Sequence, residues 1–127
     1  DKNECYRWAL YNRPVVKIWS TDRVTILGDS AHSTLPYLAQ GAAMAIEDGA
    51  VLTRALLQSS DVPDALDLYQ RNRYERTKKV VEASNANRRI FHLNSAAEIK
   101  EHFANRNEGD DRNGWLYSYN PLTVELN

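Results

Sequence analysis

The sequence predicts an α/β fragment in which short strands come first and two or three helices follow. Two patterns carry this expectation. Up to Leu27 the apolar residues are mostly aromatic or β-branched and fall in short runs broken by turn residues, as strands do. Beyond Gly41 the apolar spacing becomes helical over two stretches joined by one polar turn.

In chain order, the strand candidates are Tyr6-Trp8-Leu10, Val15-Val16-Ile18-Trp19 and Val24-Ile26-Leu27. Arg13-Pro14 and Ser20-Thr21-Asp22 separate them, Pro by fixing φ, and Ser and Asp by bonding to nearby backbone donors. The last strand is expected to end at Gly28. A Pro-interrupted loop from Asp29 to Gln40 leads to a helix over Gly41 to Gln58, with Ala42, Ala45, Ile46, Gly49, Ala50, Leu56 and Leu57 near one face. Such a seam of mainly small residues permits close approach of a backbone or a flat ligand. That approach would offset the roughly 1 kcal/mol of helix propensity that Gly49 costs.

Ser59 to Asp64 is a turn containing an N-cap, and Ala65 to about Phe91 reads as a long, charged, amphipathic helix. A third helix is expected over Ser95 to Phe103, then a polar loop over Asn105 to Gly114. The aromatic tail Trp115-Leu116-Tyr117-Ser118-Tyr119 should dock on an apolar surface. The organisation is a single fragment, 1–127, with strands and a motif helix in 1–58 and a helical part in 64–127.

The 127 residues, 43% hydrophobic and 26% charged with a net charge of -1, suit one ordinary globular unit and argue against a dedicated polyanion binder. Cys5 is the only cysteine. No disulfide can form within the chain, a Cys/His zinc site lacks its usual ligands, and a reducing, cytoplasmic setting fits. The longest apolar run, Ala42 to Ile46, is far short of the ~20 residues that cross a bilayer. Asp1-Lys2-Asn3-Glu4 is no signal peptide, and without an initiator Met the chain is expected to begin inside a longer protein.

The chemistry is concentrated in one block: the strand Val24-Thr25-Ile26-Leu27, then Gly28-Asp29-Ser30-Ala31-His32, Pro36, Gln40-Gly41-Ala42-Ala43, and a helix carrying Glu47-Asp48-Gly49. In this order and spacing the block resembles the second FAD motif of class A FAD-dependent aromatic hydroxylases. There an apolar strand leads to Gly-Asp-Ala-Ala-His, a Pro, Gly-Gln-Gly and a helix with Glu-Asp-Ala. The version Leu35-Pro36-Tyr37-Leu38-Ala39-Gln40-Gly41-Ala42 is most similar to the salicylate-hydroxylase branch. The lead-in from Trp8 to Pro14, the helix from Ala65 with Arg73 and Arg76, and the tail Trp115 to Asn120 resemble the family less specifically.

The resemblance implies the C-terminal part of a Rossmann-like FAD-binding fold of the p-hydroxybenzoate-hydroxylase type. It implies FAD as cofactor, NAD(P)H as co-substrate and an aromatic small molecule such as a phenolic acid as substrate. Gly28, Asp29, Pro36, Gly41, Ala42 and Ala43 would form the cofactor site. Asp29 would bind the ribityl chain, since a carboxylate after a strand can accept hydrogen bonds from hydroxyls, with Gly28 allowing close backbone approach. Gly41, Ala42 and Ala43 would act through backbone N–H groups at a helix N-terminus, which favours negative charge near the flavin N1 and O2. Pro36 would shape the pocket beside the isoalloxazine and the substrate. No catalytic residue is assigned beyond Pro36 as a pocket-lining candidate, and no metal site is expected.

His32 reads as a hydrogen-bonded structural residue, and Glu47 and Asp48 as acids at the helix–loop packing. Three positions depart from the pattern: Ser30 and Gly49 stand where Ala is commoner, and Ala39 where the first Gly of Gly-Gln-Gly stands. All are small-for-small, but Ala39 resists a positive φ. The Gly-x-Gly-x-x-Gly segment that binds the FAD pyrophosphate in the family is not among these residues, nor is the middle part of the substrate sheet. The rest of the same flavoprotein is therefore an expected partner. The isolated chain is expected to be inactive, with nucleic acid and membrane excluded as partners and a homodimer left open.

Two other classes have partial support in these residues. Gly28-Asp29-Ser30 resembles the nucleophile motif of a GDS-type serine hydrolase, but Asp29 and His32 are too near in sequence to form a triad around Ser30. Gln70 to Arg106 holds nine basic and four acidic residues, which suggests a basic helical interaction module. Charge pairs at i,i+4, Arg71 with Glu75 and Glu75 with Lys79, instead fit an exposed helix face.

Overall fold

The computed structural model describes residues 4–104 and 113–127. Its regular elements are β1 (Ser20–Thr21), β2 (Val24–Thr25), α1 (Asp29–His32), a 3-10 turn (Pro36–Leu38), α2 (Gly41–Gln58), α3 (Val62–Phe91), α4 (Ala96–Ala104) and α5 (Gly114–Tyr117). The expected loop over Asn105 to Gly114 lies, but for its last two residues, outside the described residues.

The described structure is mostly helical. Asp61 caps α3, its side chain accepting from the Asp64 N–H at 3.0 Å, and Pro63 occupies the first turn, where a missing N–H is no loss. With only Ser59 to Asp61 between them, α2 and α3 fold back on each other as an antiparallel pair. Met44 meets Val80 and Leu116 in one buried cluster, while Val51 and Ala55 meet Tyr69, Trp19 and Ala31 in another.

The strand expectation needs correcting. Val24 and Thr25 pair antiparallel with Thr21 and Ser20, in a two-residue ladder around Asp22-Arg23. Tyr6 to Trp19 forms no strand, and Tyr6, Trp8, Leu10 and Tyr11 are exposed. The residues have strand character, but no described segment pairs with them in a ladder: their backbone groups bond singly, as Val16 N–H to Ala31 O and Trp19 N–H to Gln70 Oε1, and a lone strand is not stable.

The seam on α2 also differs from expectation. Met44, Asp48, Val51 and Ala55 are the positions buried on α2, whereas Ile46 and Leu57 are 73% and 82% exposed. A Cβ added at Gly49 would meet nothing within 4 Å, so no close approach among the described residues compensates for that glycine. The small residues Ala42 and Ala45 instead face the Gly28–Asp29 segment.

The aromatic tail docks as expected. Leu116 is buried, Lys79 Nζ lies 4.1 Å from the centre of the Trp115 ring, and the Arg76 guanidinium lies 4.1 Å from the Tyr119 ring. Arg76 also forms a fork with both oxygens of Glu47, at 2.9 and 2.7 Å, and donates to the Leu116 carbonyl at 2.9 Å.

Candidate functional site

The turn at Gly28 is built from backbone requirements. Gly28 has φ 59 and ψ −141, a conformation essentially restricted to glycine, and from it the chain enters the single turn α1. Gly28 follows β2 by three residues rather than ending it, and Asp29 is the first residue of α1. The carbonyls of α1 are held from the lead-in: Val16 N–H donates to Ala31 O at 3.0 Å, and Arg13 donates to the carbonyls of Asp29 and Ser30. Arg13-Pro14 carries a turn signal in the sequence, but no local pattern marks this clamp.

The opposite wall is the N-terminus of α2. The helix starts at Gly41 as expected, and Gln40 provides no side-chain cap. Its first N–H groups therefore have no intrahelical acceptor and point toward the loop, with roughly half a positive charge between them. Ala39, ahead of it, adopts φ 52, the left-handed region that its Cβ disfavours, so the loop keeps the path a glycine would take.

Between these walls lies an open cavity of ≈ 640 Å³ lined by Gly28, Asp29, Pro36, Gly41 and Ala42, with Thr34, Ala45 and neighbouring residues completing it. Five of the six sequence-derived site residues thus line one space. Ala43 is half-buried in the first turn of α2 and does not line it. Asp29, Pro36 and Ala42 are exposed to the cavity and to solvent. A Cβ at Gly41 would stand 3.5 Å from Thr34 Cγ2 and 4.0 Å from Asp29 Oδ1, filling the gap between the carboxylate and the helix terminus. A hydroxyl-bearing chain suits the carboxylate, and a carbonyl-bearing planar ring suits the helix terminus, so these residues fit a flavin nucleotide.

Beneath the cavity is a buried polar cluster. Asp48 Oδ2 accepts from the Gly28 N–H at 2.9 Å and lies 2.6 Å from His32 Nε2, while Oδ1 accepts from Arg73 Nε at 2.8 Å. Burial pushes the Asp48 carboxyl up, but hydrogen bonds from His32, Gly28 and Arg73 outweigh it and hold it below the usual value. For Arg73, burial opposes the charge, and the hydrogen bond and charge of Asp48 raise its pKa further above the ordinary one. Arg73 also pairs with Glu47 at 2.8 Å.

This arrangement weighs against the serine-hydrolase and basic-module readings. His32 is 1% exposed and committed to Asp48, while Ser30 is exposed on α1, so no triad forms. Arg73 and Arg76 are turned inward to acids and Arg71 pairs with Asp67 at 2.9 Å, which removes them from a basic interaction face. Among the described residues, no group of His, Cys, Asp and Glu could hold a metal, and no helix is long and apolar enough to cross a membrane.

A family model described as an FAD binding domain matches residues 3–84, which contain both walls and the buried cluster. The chain belongs to the FAD binding domain family. FAD is the cofactor of this family. The relatives of this FAD binding domain include 3-hydroxybenzoate 6-hydroxylase of Polaromonas naphthalenivorans, 40% identical over 119 residues that make up 90% of this chain and 30% of that protein. Another is 6-hydroxynicotinate 3-monooxygenase of Pseudomonas fluorescens, 44% identical over 125 residues, 97% of this chain and 28% of that protein. A third is 3-amino-4-hydroxybenzoate 2-monooxygenase PtnB3 of Streptomyces platensis, 37% identical over 123 residues, 94% of this chain and 31% of that protein. The resemblance to FAD-dependent aromatic hydroxylases therefore stands. The FAD binding domain described here spans about a third of the length of these relatives.

Proposed function

We propose that this chain is the C-terminal part of an FAD-dependent monooxygenase that hydroxylates a phenolic or other aromatic acid, such as salicylate, with NAD(P)H and O₂. The observation that carries the reading is the convergence of Gly28, Asp29, Pro36, Gly41 and Ala42 on one cavity whose walls pair a free carboxylate with an uncapped helix N-terminus. Asp29 would accept from the ribityl hydroxyls. The backbone N–H groups of Gly41, Ala42 and Ala43 would face the ring edge that gains negative charge on reduction, a preorganised stabilisation that needs no side chain. Held by Asp29 and the N-terminus of α2, FAD would supply the redox chemistry by which NAD(P)H is oxidised and one oxygen atom of O₂ enters the aromatic substrate, the other leaving as water.

Pro36, exposed at the cavity rim, would shape the substrate side. The remainder of the flavoprotein, carrying the pyrophosphate site, completes the p-hydroxybenzoate-hydroxylase-type fold, so the chain alone should bind FAD weakly. Support for an aromatic acid comes from the relatives named for hydroxybenzoate and hydroxynicotinate. The test is NAD(P)H oxidation by the full-length, FAD-loaded protein with salicylate, 3-hydroxybenzoate and 6-hydroxynicotinate, with products identified by mass. Stimulated oxidation with a hydroxylated product is expected. An FAD-loaded protein that no aromatic acid stimulates and that forms no hydroxylated product would refute the reading.

A further inference from the structure

The carboxylate of Asp48 divides its two oxygens between two parts of the fold. Oδ1 serves Arg73 on α3 at 2.8 Å. Oδ2 serves only the cofactor-side turn, accepting from the Gly28 N–H at 2.9 Å and lying 2.6 Å from His32 Nε2. A core ion pair explains the first oxygen, and even there Arg73 has Glu47 at 2.8 Å as a second carboxylate. It does not explain the second oxygen, which reaches the glycine with φ 59 immediately before Asp29.

The position of Asp48 on α2 makes this consequential. It lies seven residues after Gly41, about two helical turns or roughly 10 Å along the axis. Helix α2 therefore presents its N-terminus as one wall of the cavity and, two turns further on, anchors the opposite wall through Asp48. Gly28 rests against the helix between these points, where an added Cβ would stand 3.4 Å from Ala45 Cβ, and the Asp29 carboxylate extends back to the level of Gly41.

We infer that Asp48 is a positioning residue for the flavin site: by holding the Gly28 turn it sets the separation between the Asp29 carboxylate and the N-terminus of α2. His32 and Arg73 orient the carboxylate for this task. The inference rests on the flavin reading of the cavity and adds to it a residue that touches no ligand. Asn at this position keeps only one oxygen, so it can satisfy Arg73 or the turn but not both.

The test compares Asp48→Asn with Val51→Ala in the full-length flavoprotein. Val51 is buried on the same helix and has no side-chain polar group, so its truncation lowers stability without removing a hydrogen bond from the Gly28 turn. FAD affinity, the visible absorption and circular dichroism of bound flavin, and Tm are measured for each. Asp48→Asn should weaken FAD binding by about tenfold or more and shift the flavin spectrum, while Val51→Ala lowers Tm and leaves both unchanged. Gly28→Ala should reproduce the Asp48→Asn spectrum, and the double variant should lose less affinity than the product of the two single losses, because both act on one turn.

Equal FAD affinity and equal spectra in Asp48→Asn and Val51→Ala would overturn the inference and leave Asp48 as a core ion-pair residue. If Asp48→Asn does not fold, His32→Gln and Gly28→Ala carry the same cycle, and affinity losses that simply multiply would overturn it. Wild-type protein that binds no FAD would instead refute the flavin reading, and this inference with it.

Discussion

Replacing Asp29 by Ala in the full-length protein removes a carboxylate that is exposed and, among the described residues, accepts no hydrogen bond from the protein itself. The fold should survive, because the neighbouring contacts of α1 are made by backbone: the carbonyls of Asp29 and Ser30 accept from Arg13, and that of Ala31 accepts from Val16. Loss of a first-turn acid from a single helical turn costs no more than about 1 kcal/mol. Loss of a charge-assisted hydrogen bond to a ribityl hydroxyl costs roughly 1.5–3 kcal/mol, so the FAD dissociation constant should rise about ten- to a hundredfold. Quenching of flavin fluorescence on titration measures this, with Tm as the control for folding. Because the role proposed for Asp29 is binding rather than proton transfer, saturating FAD should restore much of the aromatic-dependent NAD(P)H oxidation. Unchanged FAD affinity with abolished activity would refute the reasoning, since the residue would then act in chemistry or in folding.

Three further outcomes follow from the same geometry. Ala39→Gly relieves a left-handed residue at φ 52 and, after the added entropy of the unfolded chain, should stabilise by roughly 0.5–1 kcal/mol in urea denaturation; a loss of stability would show that the Ala39 methyl group packs. Arg76→Ala leaves Glu47 with one cation fewer and frees the Leu116 carbonyl, so stability should fall by about 3 kcal/mol, and tryptophan fluorescence should report release of the tail at Trp115; an unchanged emission spectrum counts against the clasp. The depressed Asp48 carboxyl contributes stability that is present above the unfolded value of about 3.9 and is lost as pH falls through the lower folded value. Urea denaturation between about pH 2 and 6 should therefore show a shallower acid loss in Asp48→Asn than in the wild type; equal slopes would contradict the assignment.

The parts of the site that were legible in the sequence are those fixed by local rules. Gly28 announced the end of the strand run and a close backbone approach, though not its positive φ, Gly41 announced a helix start, and the spacing from Gly28 through Pro36 to Gly41 placed them around one loop. The long helices were legible for the same reason, since the turn before α3 carries an N-cap and the apolar spacing runs to Phe91, although α3 begins at Val62 rather than at the expected Ala65. The strands were not, because β structure depends on a partner: the aromatic run from Tyr6 has strand composition but meets no ladder among the described residues. Nor was the Asp48 cluster. Asp48 is 20 positions from Gly28, 16 from His32 and 25 from Arg73, separations with no periodic signature, and only the folding of α2 on α3 brings them together. The small-residue face of α2 meets a close backbone at Ala45, 3.4 Å from where a Cβ on Gly28 would stand, but not at Gly49, where periodicity alone cannot say what lies opposite.

The proposed function requires that the cavity between Asp29 and the N-terminus of α2 hold the flavin. A crystal structure of the full-length protein with FAD tests it most directly. A ribityl hydroxyl within hydrogen-bond distance of the Asp29 carboxylate, and the ring edge facing the N–H groups of Gly41 to Ala43, are expected. FAD bound with neither Asp29 nor Gly41 in contact would contradict the claim.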